Sequence, residues 1–222
     1  MSLLAVASLL PVFAEEDAEL DLGSICPGAA AWKSAHADML PGAMSKRDQA
    51  RTLSRPELRK ELEERVDADQ AARKALLAHR GDAREAARID EGNDAWLIKL
   101  LKENGMPTVD QVGEFGLNLT WLLVQHADRY PGVQEWALEG FRRQYQAGAF
   151  SGDELARLTD RVLLHQGKQQ RYGTQFDWKS GEFNPKNIGD LDEVDIERGK
   201  LGLMPLSDYG CMMAHAAKRL ER

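Results

Sequence analysis

The sequence predicts a mainly α protein, a single-domain bundle of five or more helices with a small β-hairpin near the C-terminus. Three observations predict it. Apolar residues recur at three- and four-residue spacing along most of the chain. Capping residues, prolines and glycines punctuate those stretches where helices should start and stop. Only one short region, near residues 169–184, trades that period for a strand, turn and strand pattern.

Met1 to Ala14 carries no charge and holds the apolar run Leu3, Leu4, Ala5, Val6, Ala7, Leu9 and Leu10. Val12-Phe13-Ala14 then offers a cleavage site before acidic Glu15-Glu16-Asp17. Residues 1–14 read as a secretory signal peptide without the usual basic start. The run falls short of the roughly 18 apolar residues of a spanning helix. Residues 15–53 form an N-terminal arm with a short helix from Pro27 to Met39. The main domain covers 54–209. Ser54 caps a helix with Pro56-Glu57 in its first turn, ending near His79. A second helix runs from about Asp82 to Asn104, where Gly105 stops it. Met106 to Gln111 is a loop. A third helix, Val112 to about Arg129, ends before Pro131-Gly132. A fourth spans Val133 to Ala147. Ser151-Gly152-Asp153-Glu154 opens a fifth, which closes near Gly167. Gln170 to Phe176 and Glu182-Phe183 form the hairpin around a Trp178-Lys179-Ser180-Gly181 turn. Asp192–Lys200 and Pro205–Leu220 are short helices, and 210–222 is the end of the last one.

Composition narrows the function. The 222 residues include 29 Lys+Arg and 36 Asp+Glu, a net charge of −7, and are 43% hydrophobic. That balance excludes a disordered polymer and, with its acidic sign, a nucleic-acid-coating protein. Two cysteines are too few for a disulfide miniprotein. An exported chain would be periplasmic or secreted, with no stable membrane insertion after signal cleavage. In that compartment Cys26 and Cys211 are a plausible disulfide, with two separate thiols as the alternative. No CxxC or HExxH spacing supports a metal, and no GxGxxG or GxxxxGK[ST] supports a nucleotide cofactor.

Several polar residues fall on apolar helix faces. Asp69 and Arg73 share the stripe of Leu58, Leu62 and Val66, with Gln70 beside them. Asp90 and Asn93 lie on the face of Ile89, Trp96 and Leu97. His126 falls among Phe115, Leu119 and Leu122, Asp128 beside Leu117 and Trp121, and Asp160 next to Leu163 and Leu164. Buried charges are costly unless paired. The pattern predicts either a satisfied structural network or a polar pocket inside the bundle.

Further motifs occur in a fixed order: Asp69-Gln70-x-x-Arg73, Asn104-Gly105-Met106-Pro107-Thr108, Val112-Gly113, Trp121 to Asp128 (WLLVQHAD), Leu158 to Val162 (LTDRV), Gly167-Lys168-x-Gln170 and Tyr172-Gly173-Thr174-Gln175. Over roughly Glu57 to Tyr209 the chain resembles a bacterial family catalogued as a domain of unknown function. Met106 departs from the aromatic residue expected there. The resemblance implies a shared fold and no established activity, and it places both cysteines in extensions outside the matched region.

The leading functional reading is an exported helical protein whose polar pocket binds a small polar or anionic ligand or a protein partner. Asp69, Gln70, Arg73, Asn93, Gln125 and Arg161 would supply recognition, and Tyr172 and Gln175 would cover it. The alternative is a hydrolase-type enzyme with His126 as general acid or base, helped by Asp128 or Asp160, since imidazole titrates near neutral pH. A structural scaffold with a buried polar network is the third reading.

Overall fold

The computed structural model describes residues 22–39, 41–179 and 182–220. The signal-peptide reading of residues 1–14 lies outside them. The chain is mainly helical with one two-stranded antiparallel sheet, as its periodicity predicts. Among the described residues no helix is long and apolar enough to cross a membrane. Two compact units divide the chain, one of Asp38–Leu155 and one of Met1–Ala37 with Ala156–Arg222.

The contiguous unit contains α3 (Pro41–Asp48), α4 (Pro56–Leu77), α5 (Ala83–Asn104), α6 (Val109–His126) and α7 (Pro131–Gln146). α6 is central and packs on α3, α4, α5 and α7. Its residues Leu117 and Leu119 to Val124 are all buried, so its second half is enclosed. α4 lays Leu58, Leu62 and Val66 inward at helical spacing. Proline opens both α4 and α7 at the first helical position, where its missing N–H costs no hydrogen bond. Ser54 is not the cap of α4. That position falls to Arg55, and the Ser54 N–H donates to the Asp110 carbonyl at 2.9 Å instead.

α6 is kinked at its start. Thr108 N–H donates to Gln111 Oε1 at 3.1 Å, which opens a first turn. Gly113 then takes φ 79°, outside helical space, and the helix restarts. The N–H groups of Glu114 and Phe115 donate to the two oxygens of Asp48 at 2.9 and 3.0 Å. The last residue of α3 thus caps the restarted helix with a carboxylate. A Cβ on Gly113 would lie 2.2 Å from Asp48 Oδ2, so glycine meets both a backbone and a space requirement. Arg59 holds the same carboxylate at 2.9 Å. The helix ends at His126, earlier than the sequence predicts. Gln134, fully buried on α7, donates its amide to the Val124 and Gln125 carbonyls and to Asp128 Oδ1. Asp128 is therefore beyond the helix and exposed, not beside Leu117 and Trp121.

The other unit joins α1 (Leu22–Ile25) and α2 (Pro27–Ala35) to β1 (Phe176–Lys179), β2 (Glu182–Pro185), α9 (Leu191–Lys200) and α10 (Leu206–Leu220). The boundary between units falls inside α8 (Gly152–His165). A 3₁₀ turn, Ala37–Met39, replaces the last residues of the helix predicted from Pro27 to Met39. α10 packs on α1, α2, α9 and β2. Leu22, Cys26, Phe176, Val194, Met204, Tyr209 and Met213 form its core. Cys26 and Cys211 form a disulfide across it, Cα to Cα 5.9 Å.

The hairpin is displaced from its predicted position. Phe176 pairs with Pro185 and Lys179 with Glu182, whereas 170–175 lies outside the ladder. Side chains hold that loop instead. Gln170 accepts from Gln175 N–H at 2.7 Å and donates to its carbonyl at 2.9 Å. Backbone bonds reach the segment after β2 only from the ends of the loop, from Lys186 N–H to the Gln175 carbonyl at 2.9 Å and from Gln170 N–H to the Asn187 carbonyl at 3.0 Å.

Candidate functional site

The buried stripe of α4 runs Leu58, Leu62, Val66 and then continues as Asp69 and Arg73, 2% and 9% exposed. α5 follows after a short loop, and its buried stripe turns polar after Ala86, with Asp90 half-buried and Asn93 and Asp94 buried, before Leu97 and Leu101. The polar half of each helix therefore lies at the same end of the α4–α5 pair. His126, the last residue of α6, enters the same cluster with a side chain only 5% exposed.

The contacts are specific. Arg73 Nε donates to Asp69 Oδ1 at 3.0 Å. Its Nη2 reaches Asp90 Oδ1 at 2.5 Å, so one guanidinium joins two carboxylates. Gln70 Nε2 donates to Asp69 Oδ2 at 2.7 Å. His126 Nδ1 lies 2.9 Å from that oxygen, as an ion-pair approach rather than an aligned hydrogen bond. Four buried polar atoms here have no aligned hydrogen bond among the described residues: both ring nitrogens of His126, Gln70 Oε1 and, on the residue before His126, Gln125 Nε2. An unpaired buried polar group costs about 1–3 kcal/mol.

The two carboxyls respond in opposite directions. Burial pushes Asp69 up, yet His126 and Arg73 outweigh it and hold the group at about 2, below its ordinary 3.8. Burial pushes Asp90 above its ordinary range, Arg73 pulls it back, and the Asp69 charge adds to the rise. One further buried carboxylate, Asp94, is raised by burial while Arg129 pulls it down. Arg129 Nη2 sits 2.9 Å from it. Sequence reading passed over Asp94, although it lies three residues before Leu97 on a buried stripe.

Asp160 belongs to the other unit and is fully buried. It accepts from the N–H groups of Arg171, Tyr172 and Thr174 and from Thr174 Oγ1, all within 2.8 to 3.0 Å. Burial raises its pKa against the pull of these donors. Gly173 takes φ 66° between them, which lets the loop fold around the carboxylate. Arg198, 1% exposed, holds the loop from behind: it donates to the Tyr172 and Met204 carbonyls at 2.6 and 2.7 Å. Tyr172 and Gln175 are thus tied into this loop, with Gln175 Oε1 accepting from Arg161 Nη2 at 3.4 Å. Arg198 was missed in sequence, yet it follows buried Val194 by one helical turn. The described contacts bring together Asp69, Gln70, Arg73, Asp90 and His126. Those of Asp160, Arg161, Tyr172 and Gln175 lie within their own unit.

No curated protein and no solved structure matches the chain. A family model described as a family of unknown function (DUF6624) matches residues 56–219. The match runs ten residues past Tyr209, so Cys211 falls inside it and only Cys26 outside, a correction to the expectation that both cysteines are extensions. Covering well over half of the sequence, the match makes the chain a member of DUF6624.

Proposed function

We propose that the cluster around Asp69 and His126 is a binding site for a small polar ligand, in a protein exported from the cell. One observation carries the reading: His126 presents Nδ1 to a carboxylate and keeps a buried Nε2 without a partner among the described residues. An acidic partner at one ring nitrogen fixes the orientation of the other. Gln70 Oε1, anchored on the same carboxylate, adds an acceptor. Arg73 is shared between two carboxylates, which favours a neutral polar ligand over a simple anion. The half-buried Asp90 side chain marks the way to solvent.

Histidine-selective NMR tests this. A panel of small amides, polyols and carboxylic acids is titrated into the wild type and His126→Gln. At least one neutral member should shift the His126 Nε2 signal, and that binding should vanish in the variant. A panel that leaves the signal unmoved would show a sealed structural network.

A second reading, acid–base catalysis by His126, is favoured by the opposite shifts of Asp69 and Asp90. Paired groups driven apart in this way mark acid and base assignments in enzymes. Turnover of an ester or amide library that disappears in His126→Gln with ligand affinity retained would support it. For export, the support is the uncharged apolar run before Glu15 and the Cys26–Cys211 disulfide. N-terminal sequencing of protein recovered outside the cytoplasm should begin at Glu15, and a mature chain starting at Met1 would contradict it.

A further inference from the structure

A groove of about 310 Å³ opens between α4 and α5, the size at which small-ligand sites begin. Ala68, Ile89 and Gly92 give it an apolar floor. Asn93 forms part of its wall and is 8% exposed. Its Oδ1 accepts from Arg65 Nη1 at 3.3 Å. Arginine can only donate, so this bond fixes which way the amide points. The amide Nδ2 is left buried with no partner among the described residues. It calls for an oxygen acceptor.

Charges of both signs line the same opening. Glu61 and Glu64 stand on α4 and Arg88 on α5. Arg65 is already engaged: it lies 2.9 Å from Glu61 and 4.4 Å above the Trp96 ring, so it acts as a wall. Arg88 is 73% exposed and pairs with Glu85 at 2.6 Å, a solvent-screened pair from which a ligand carboxylate can draw it. We infer that this groove is a second binding site, taking a small zwitterion of the amino-acid or dipeptide class. Its carboxylate would meet Asn93 Nδ2 and Arg88, and its ammonium Glu61 and Glu64. Neither Asp69 nor His126 lines the groove, so the inference stands apart from the reading of His126.

The test is an amide NMR titration of the full chain with the dipeptide Ala-Ala. Shifts should concentrate at Gly92, Asn93 and the facing turn of α4. A Cβ on Gly92 meets nothing within 4 Å, so Gly92→Trp starts from open space at the lining of the groove, where its ring competes with a ligand, and it gains helix propensity. That variant should fold and lose the shifts. Asn93→Asp keeps the acceptor toward Arg65 but removes the donor, and should bind at least tenfold more weakly. N-acetylated and C-amidated forms of the dipeptide should also bind at least tenfold more weakly. His126→Gln should bind as wild type does. No shift along α4 and α5, undiminished binding by Gly92→Trp, equal affinity for the capped dipeptides, or loss of binding in His126→Gln would each overturn the proposal.

Discussion

Acidification should remove a defined part of the stability, and Asp69 is its source. Its pKa falls from 3.8 to about 2 on folding. A drop of this size corresponds to about 2 kcal/mol. Because the folded value is the lower one, the native state binds fewer protons than the unfolded chain in that window. The contribution is full above about pH 4 and drains away as pH falls toward 2. Asp90 and Asp94 move the other way, raised by burial. Their ionisation opposes folding, and acid relieves that opposition. Comparison with Asp69→Asn isolates the first effect, apart from the share of the Asp90 rise that Asp69 causes. The assay is urea unfolding at a series of pH values, followed by tryptophan fluorescence. Trp96, Trp121 and Trp136 all lie in the unit of Asp69. The stability gap between wild type and variant should shrink by about 2 kcal/mol between about pH 4 and pH 2. A constant gap across that range would refute the assignment of the shift to the Asp69 contacts.

Three further outcomes follow from the same structure. Asp160→Asn leaves one side-chain oxygen for four donors and should cost about 3 kcal/mol. A thermal melt indistinguishable from wild type would contradict the role of Asp160 in holding loop 171–174. Gly113→Ala meets both a φ of 79° and the Asp48 carboxylate, so it should destabilise by about 2 kcal/mol or more. Adding Asp48→Ala should cost less than the two separate effects combined, since both act on one contact, and strict additivity in urea would reject that coupling. Cys26→Ser should cost about 2–5 kcal/mol, and thiol titration of the denatured, oxidised chain should find none before reduction and two after.

Periodicity made the helices legible because their apolar stripes are long. Leu58, Leu62 and Val66 announce α4, and the unbroken run from Leu119 to Val124 announces an enclosed α6. The charges that interrupt those stripes were legible for the same reason: Asp69 and Arg73 stand at positions that can only face inward. Boundaries decided by tertiary contacts were not. The end of α6 depends on the Gln134 amide from another helix, and its restart depends on Asp48, distant in sequence. Extrapolating helical spacing beyond His126 therefore misplaced Asp128. Loop 170–175 carries strand-like residues, yet Asp160 and Gln170 satisfy its backbone from side chains. Short α3, with one buried methionine and a terminal aspartate, gave too few repeats for a period to emerge.

The disulfide joins residues 185 positions apart, and the unit it closes is split by a contiguous one. Synthesis proceeds from the N-terminus, so Cys26 emerges long before Cys211. Asp38–Leu155 is complete on the nascent chain while Cys26 still has no partner thiol. The bond thereby distinguishes a finished chain from an interrupted one: any product truncated before Cys211 retains a reactive thiol, and only the full-length molecule can lose it by internal pairing.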